Sequence, residues 1–521
     1  MSKKKKYISL IILLIGFSVY CGLTIGQSLD EEYHLAQGKI TFDYLFSLGK
    51  INKDIPYGEF YSTIYWSLLY IITELFPRKY LTEISHLVSL FFSFAVIFGI
   101  GKVSSELFNK KVGKIIFILL FFYPIFFGHM SINNKDTILA LSHVWMVYLI
   151  LRYLKKQDIK NKTKKYVLSL AVLGAVSTGI QLTFLGSQIP ILLFLLIEIF
   201  LVKKIINKNF SKKYFYFDLL KCFMIFYFLL ILFWKDAHEN ILTYPFLIIQ
   251  NWLSSDLITG WPYNLINGNY YLSVEVPSLY FIINFLYKSP EYILLCYLIF
   301  FLLIIQIINF YKERIVSFNY KLSLIILILI FPNLIMLLIP FPVNDGMRLF
   351  LWTVPYYLII PSLLIYFLIE NLNLKKFKVI FSVLMLFFIY HLFNFFSITP
   401  YQYTYLNLLN GKVEERYKKF ENDYWATSIK ELIKNANFET NKAIKISTCG
   451  FISSTPKKYF KKRLDLNYRF VSPDKADYII MTNRVSRHHG IKNCFDIFKG
   501  NDIALVKRNG LILSVIRKIK L

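Results

Sequence analysis

The stretch KKKKYISLIILLIGFSVYCGLTIGQSLDEEYHLAQG, Lys3 to Gly38, decides how the rest of the chain is read. Four lysines precede an apolar run close to the ~20 residues that cross a bilayer. Three carboxylates and an imidazole, Asp30, Glu31, Glu32 and His34, follow it at once. The start is similar to a signal peptide, but its apolar stretch is longer than a usual hydrophobic region. With no convincing small-residue cleavage site behind it, residues 7–26 are expected to remain as an uncleaved first span.

Composition supports a membrane reading along the whole chain. Of 521 residues, 56% are hydrophobic and only 18% charged, with a mean hydropathy of +0.49; a soluble domain carries about a quarter charged residues. The expected fold class is therefore a polytopic α-helical membrane protein. A net charge of +28 invites a nucleic-acid partner, but a nucleic-acid binder gathers its charge on one soluble face. Here the lysines mark loops between apolar segments, so no nucleic acid is expected.

Eleven spans are expected, at 7–26, 84–101, 115–128, 136–151, 167–184, 188–202, 216–234, 291–310, 322–340, 350–370 and 377–396. With the N-terminus inside, the cytoplasmic pieces hold 26 Lys and Arg, against 9 in the opposite loops before the tail. Such a bias follows the positive-inside rule. "GSQIP" interrupts 167–202, and the basic loops on both sides of it require two short spans rather than one. Residues 1–396 then form a transmembrane domain, with outer loops 27–83 and 235–290. Residues 397–521 form an extracytoplasmic C-terminal domain, although this tail is itself basic, with 24 Lys and Arg against 11 Asp and Glu. A bacterial inner (plasma) membrane fits, with the N-terminus cytoplasmic.

Outer loop 27–83 carries aromatics and aliphatics at helical spacing in "TFDYLFSLGK" and "YGEFYSTIYWSLLYIITELF", and interfacial helices are expected there. In the tail, 412–436 reads as a helix. "AIKIST", "NYRFVS", "ADYIIMT" and "IALVKRNGLILSVI" read as strands, the last a hairpin turning at Asn509-Gly510. The tail is expected to be a small α/β or α+β domain. Cys449 and Cys494 lie in it and could pair, which sequence does not decide.

This topology puts four polar clusters on the outer face: "DEEYH", "GHMSINNKD" (Gly128 to Asp136), the loop 235–290 and "NDGMR" (Asn344 to Arg348). Charges beside spans are costly, and those retained usually serve a function. His34 falls three residues after Glu31 and four after Asp30, so a helix would place them on one face. The bland alternative for Lys135 and Arg348 is that they are snorkelling residues at helix ends. His129 reads as a satisfied interfacial histidine, "KDAHEN" (Lys235 to Asn240) as a solvated loop start, and His488-His489 as surface. Asp423-Tyr424-Trp425 could pack the tail on the membrane or touch an acceptor.

These motifs carry a resemblance. An Asp-Glu pair just after the first span is similar to the mark of type-C (GT-C) integral-membrane glycosyltransferases. "SLDEEYHLAQG", "GHMSINNKD", "VPSLYFIINFLYKSPEYIL", "NDGMRLFLWTVP" and "TPYQYTYLNLLNG" followed by "FENDYWATS" resemble bacterial relatives of the protein O-mannosyltransferases and the lipid A aminoarabinose transferase. Asn134 stands where relatives often have proline, and Glu32 is an extra carboxylate. The resemblance implies a hexosyl- or pentosyltransferase that moves a sugar from a polyprenyl-phosphate carrier to a hydroxyl of a glycan, lipid or protein, in one inverting displacement. It implies Asp30 as base, with Glu31 and His34 orienting the acceptor or tuning Asp30. A poor nucleophile such as a hydroxyl needs a carboxylate to take its proton, and a departing lipid phosphate needs cations. Arg348 and Lys135 are the candidate cations, held by Asp345 and Asp136; a divalent ion (Mg or Mn) on Asp30, Glu31 and Asp136 is the other arrangement. The competing classes are an outer-leaflet glycan polymerase or ligase and a lipid-linked sugar transporter or flippase.

Overall fold

The computed structural model describes residues 3–254, 261–338, 341–438, 443–486 and 491–519; His488-His489 lies outside them. The chain opens with α1 (Lys3–Thr24), α2 (Glu31–Phe46), α3 (Ile64–Glu74), α4 (Leu81–Leu107), α5 (Lys110–Phe121), α6 (Pro124–His129) and α7 (Asp136–Lys156). Helix α4 packs against α5 and α7, and α2 against α3.

Among the described residues, six helices are long and apolar enough to cross a membrane: Arg78–Leu107, Asp136–Lys156, Phe184–Val202, Lys212–Leu232, Phe318–Leu338 and Lys375–Ser397. They cover most of six of the eleven expected segments, and a seventh, 167–184, falls on the unbroken helix Lys160–Ile180. Elsewhere the apolar helices are shorter or broken. Ile8–Thr24 and Val354–Glu370 are short, and 291–310 divides into Glu291–Leu302 and Ile304–Lys312. The 115–128 segment breaks between α5 and α6 because Pro124 follows Tyr123, and a residue before proline is pushed to extended backbone. Pro290 does the same between Tyr280–Lys288 and Glu291–Leu302, which meet at 114°.

The first outer loop is helical in α2 and α3, although α2 begins at Glu31 and "YGEFY" precedes α3 outside it. In the tail the expected helix 412–436 does not form; only Ile429–Asn435 is α-helical. Asn422 and Asp423 explain this. The Asn422 side chain accepts from Asp423 N, and the Asp423 carboxylate accepts from Thr427 N and Ser428 N at 3.0 Å each. Such local bonds offer the backbone an alternative to the helix.

A hairpin, β1 (Tyr263–Ile266) and β2 (Asn269–Leu272), stands in the 235–290 loop. The expected strands form β3 (Ile444–Cys449), β4 (Tyr468–Phe470), β5 (Tyr478–Thr482), β6 (Gly500–Arg508) and β7 (Leu511–Ile519), in the order β4-β3-β5-β7-β6. Strand β3 runs parallel to β4 and β5, and β7 antiparallel to β5 and β6. The β6–β7 turn is Asn509-Gly510, both at positive φ, as a two-residue hairpin turn requires. Cys449 and Cys494 form a disulfide with Cα atoms 5.7 Å apart.

The tail is not a detached module. One apolar cluster runs from the spans through Tyr401, Tyr403, Trp425 and Ile429 to Ile480 and Ile516 of the sheet. The tail also clasps the end of α1: Gly26 N donates to Thr427 O at 3.2 Å, Gln27 N to the Tyr459 hydroxyl at 2.9 Å, and Lys430 Nζ to Leu23 O and Ile25 O at 3.1 and 3.3 Å. A cation on the last carbonyls of a helix suits its negative end.

Gly38 lets α2 approach α3 closely, since an added Cβ would lie 2.1 Å from Trp66 O. Gly38→Ala is expected to lower the thermal midpoint of the purified protein, with a loss of ~1–3 kcal/mol from overpacking. Gly16→Ala, where nothing lies within 4 Å, is expected to leave it unchanged or slightly raised; fluorescence-detected size exclusion after heating checks both.

Candidate functional site

The Asn133–Asp136 turn shows how local sequence builds the site. Asn133 Oδ1 accepts from Lys135 N at 3.1 Å and Asp136 N at 2.8 Å, and its Nδ2 donates to Asp136 Oδ2 at 3.0 Å. This caps α7 and fixes Asp136 at its first residue, where a helix favours a negative charge. Asn134 bridges to the first loop. Its Oδ1 lies 2.5 Å from His34 Nδ1, and its carbonyl accepts from Trp66 Nε1 at 3.2 Å. The His34 ring stacks on Trp66 with centroids 4.3 Å apart. Burial lowers the His34 pKa to about 4, against the pull of Asp30, so the imidazole is neutral at neutral pH.

At the centre stands Arg348. Its Nε donates to Asp136 Oδ2 at 3.2 Å, Nη1 to Asp345 Oδ2 at 2.6 Å, and Nη2 pairs with Asp30 Oδ2 at 3.3 Å. The guanidinium faces the Trp425 ring at 4.9 Å. Burial opposes its charge, but the three carboxylates outweigh burial and raise its pKa. Asp345 reaches it from a tight turn in which Asp345 and Gly346 have φ of +58° and +65°.

Exposure separates the three carboxylates. Asp136 and Asp345 are 2% exposed, whereas the Asp30 side chain is 38% exposed. Burial would raise the Asp30 pKa, yet the Arg348 guanidinium, backed by Lys135 and Arg484, holds it below the usual value. Asp30 is thus an ionised carboxylate with one oxygen on Arg348 and a face towards solvent.

Five of the seven candidates meet here: Asp30, His34, Asp136, Asp345 and Arg348. Lys135 flanks them, its ammonium 5.6 Å from the Tyr61 ring and, among the described residues, without a carboxylate partner. Glu31 stands apart. It accepts from Ser28 N at 2.6 Å and pairs with His86 Nε2 at 3.0 Å, and its side chain is 2% exposed. Instead of a second carboxylate beside Asp30, Glu31 is a buried anchor at the start of α2. The expected metal set does not converge either. Glu31 faces His86, and Asp30 and Asp136 face a guanidinium where a cation would sit; among the described residues no three such side chains are grouped to hold a metal.

His129 is satisfied, its Nε2 lying 2.8 Å from the Tyr424 hydroxyl. The "KDAHEN" lysine is buried rather than solvated: Lys235 pairs with Asp54 and, at 3.0 Å, with Asp236, away from Arg348. Asp423 binds the tail's own backbone, and Trp425 packs under Arg348.

Three members were not singled out in the sequence. Arg484, just past β5, donates from Nη2 to Asp345 Oδ1 at 2.6 Å and lies over the Trp261 ring at 4.3 Å. Glu421 lies 4.0 Å from Arg484 Nε and accepts from Val485 N at 3.1 Å. Lys288 is buried near the rings of Phe420 and Tyr424. The quoted patterns "FENDYW" and "LYKSP" contained the last two; nothing local marked Arg484.

Burial pushes the Glu421 pKa from 4.5 up to about 7, against the pull of Arg484. The folded protein then holds this proton more tightly than the unfolded chain, so stability falls as pH rises through that window. Glu421→Gln is expected to remove the fall, raising the thermal midpoint above wild type at pH 8 and little at pH 5. Paired melts at the two pH values check it.

No family model matches this chain, and no curated protein resembles it in sequence. Solved structures do resemble it in fold. The ArnT structure from Cupriavidus metallidurans in the apo state has a TM-score of 0.51 at 9% identity, covering 99% of this chain and 98% of that one. The same protein bound to undecaprenyl phosphate gives 0.50, with the same identity and coverage. The Archaeoglobus fulgidus oligosaccharyltransferase gives 0.47 at 10% identity, over 91% of this chain and 65% of that one. At such identity the likeness is one of architecture: from α1 to the tail sheet, the chain has the fold of ArnT, a GT-C glycosyltransferase.

Proposed function

We propose that this chain is a membrane glycosyltransferase that moves a sugar from a polyprenyl-phosphate carrier to a hydroxyl acceptor, with Asp30 as the base. The observation that carries the reading is the asymmetry around Arg348. Three carboxylates share one guanidinium, two are sealed, and only Asp30 is open to an incoming hydroxyl.

In the reaction the acceptor oxygen bonds to the anomeric carbon as the carbon–phosphate-oxygen bond breaks on the opposite face. The hydroxyl proton passes to Asp30, and polyprenyl phosphate leaves with the bonding electrons. Arg348 keeps Asp30 ionised and aimed; with its nitrogens engaged by carboxylates it is an organiser of the site. Lys135, free of a carboxylate among the described residues, is the cation that meets the lipid phosphate. A protein of this fold binds undecaprenyl phosphate, which makes that lipid the first carrier to try.

The reading includes the eleven-span topology, with the site and the 397–521 domain outside the cytoplasm of a bacterial plasma membrane. The basic loops support it, and so does the Cys449–Cys494 disulfide, because such bonds persist in oxidising compartments. Glycosyl transfer in membranes with labelled polyprenyl-phosphate sugars tests the function. Asp30→Asn, which keeps shape and removes the base, is expected to lower kcat at least 100-fold with donor binding retained; unchanged transfer would remove Asp30 from the role. Lys135→Met is expected to weaken donor binding more than Asp30→Asn does. In wild type the acid limb of kcat/KM is expected below the ordinary carboxylate range of about 4, since Asp30 titrates low.

A further inference from the structure

A second polar opening adjoins the base on the other side of the same helical turn. Around the start of α2, Asp30 and His34 lie on the Arg348 side, and Leu29, Glu32 and Tyr33 on a different face. That face lines a cleft of about 290 Å³, closed below by Gln27 and Ser28 and opposite by Ile452, Ser454, Thr455 and Lys458 of the tail. The tail helix Ser454–Phe460 is pinned in place: Lys458 Nζ donates to Gln27 Oε1 at 2.5 Å and Thr82 Oγ1 at 2.7 Å, and Tyr459 accepts from Gln27 N. Tyr33 is equally fixed, its hydroxyl donating to Pro56 O at 2.7 Å and accepting from Gln37 Nε2 at 3.0 Å.

We propose that this cleft is an acceptor subsite that binds a sugar ring, so that the acceptor is a glycan. The inference rests on the transferase reading. Its lining combines the immobilised Tyr33 ring and the apolar Leu29 and Ile452 with a carboxylate, an ammonium, three hydroxyls (Ser28, Ser454 and Thr455) and an amide. A sugar offers complementary groups, a C–H face for the ring and several hydroxyls for the polar side chains. A lipid acceptor would call for an apolar lining, and a peptide for an open strand edge. The volume stands at the small end of ligand pockets, which run from about 300 Å³ upward, and this matches a sugar unit rather than a chain of them. Glu32, the carboxylate that blurs the Asp-Glu motif, faces this cleft and takes the part of an acceptor ligand. The tail supplies half of the walls, so the acceptor is selected by both parts of the protein.

Saturation-transfer NMR on the full chain in lipid nanodiscs, with mannobiose, galactobiose and di-N-acetylchitobiose as probes, tests the subsite. Binding of at least one disaccharide is expected. It should weaken at least fivefold in Tyr33→Ala and be lost in Ser454→Trp, which fills the cleft from an exposed position, while Tyr33→Phe retains it. Asp30→Asn should keep disaccharide binding within twofold, so that failure of the transferase reading, seen as no sugar released from any polyprenyl-phosphate donor, is read separately. Absence of binding by all three disaccharides, or binding indifferent to both Tyr33→Ala and Ser454→Trp, overturns the proposal.

Discussion

Everything around the site answers to one buried guanidinium. Arg348 draws together Asp30 from between α1 and α2, Asp136 from the head of α7 and Asp345 from its own turn. Taking such charges out of water is costly, and the cost is offset only when geometry satisfies every donor. Removing the cation would leave three carboxylates in mutual repulsion, a loss of ~3–5 kcal/mol for a broken buried pair. The cluster therefore specifies how three distant segments meet as well as holding them there.

The tail completes this arrangement. Arg484 takes the second oxygen of Asp345, and Trp425 covers the flat face of Arg348. Without them Asp345 would have an unmet oxygen and Arg348 an unshielded face. The same tail caps α1 through Lys430 and grips Gln27 through Tyr459. The helix that leads to Asp30 is thus fixed by the tail, and the position of Asp30 depends on how the tail docks. This coupling also gives the charge pattern its sense: Asp30 is kept ionised by cations from both parts of the chain.

Legibility in the sequence followed the range of the forces. Apolar runs, basic loops and the Asn509-Gly510 hairpin are set by neighbours, and helices or strands appear where those patterns stand. The 412–436 segment misled because its helical spacing is real, but Asn422 and Asp423 prefer their own backbone. Within the site, Asp30, Asp136, Asp345 and Arg348 were visible as charges at abrupt span ends. Glu31 looked equivalent to Asp30, being adjacent to it, yet one residue of helical rotation sends it inward to His86. Arg484 was illegible because its partner, Asp345, lies 139 positions away, and no periodicity reports such a pairing.

The sequence by itself determined that this is a many-helix membrane protein with a small mixed sheet, and that acidic and basic groups collect beside its spans. Those features follow from hydrophobic transfer and from local backbone preference, which a short window contains. Only the tertiary structure decided which carboxylate is open, which is sealed, that Arg348 is saturated while Lys135 has no carboxylate partner among the described residues, and that the tail walls a cleft beside Asp30. Exposure and ion pairing are properties of surfaces that meet after folding, and the chain order does not encode them locally.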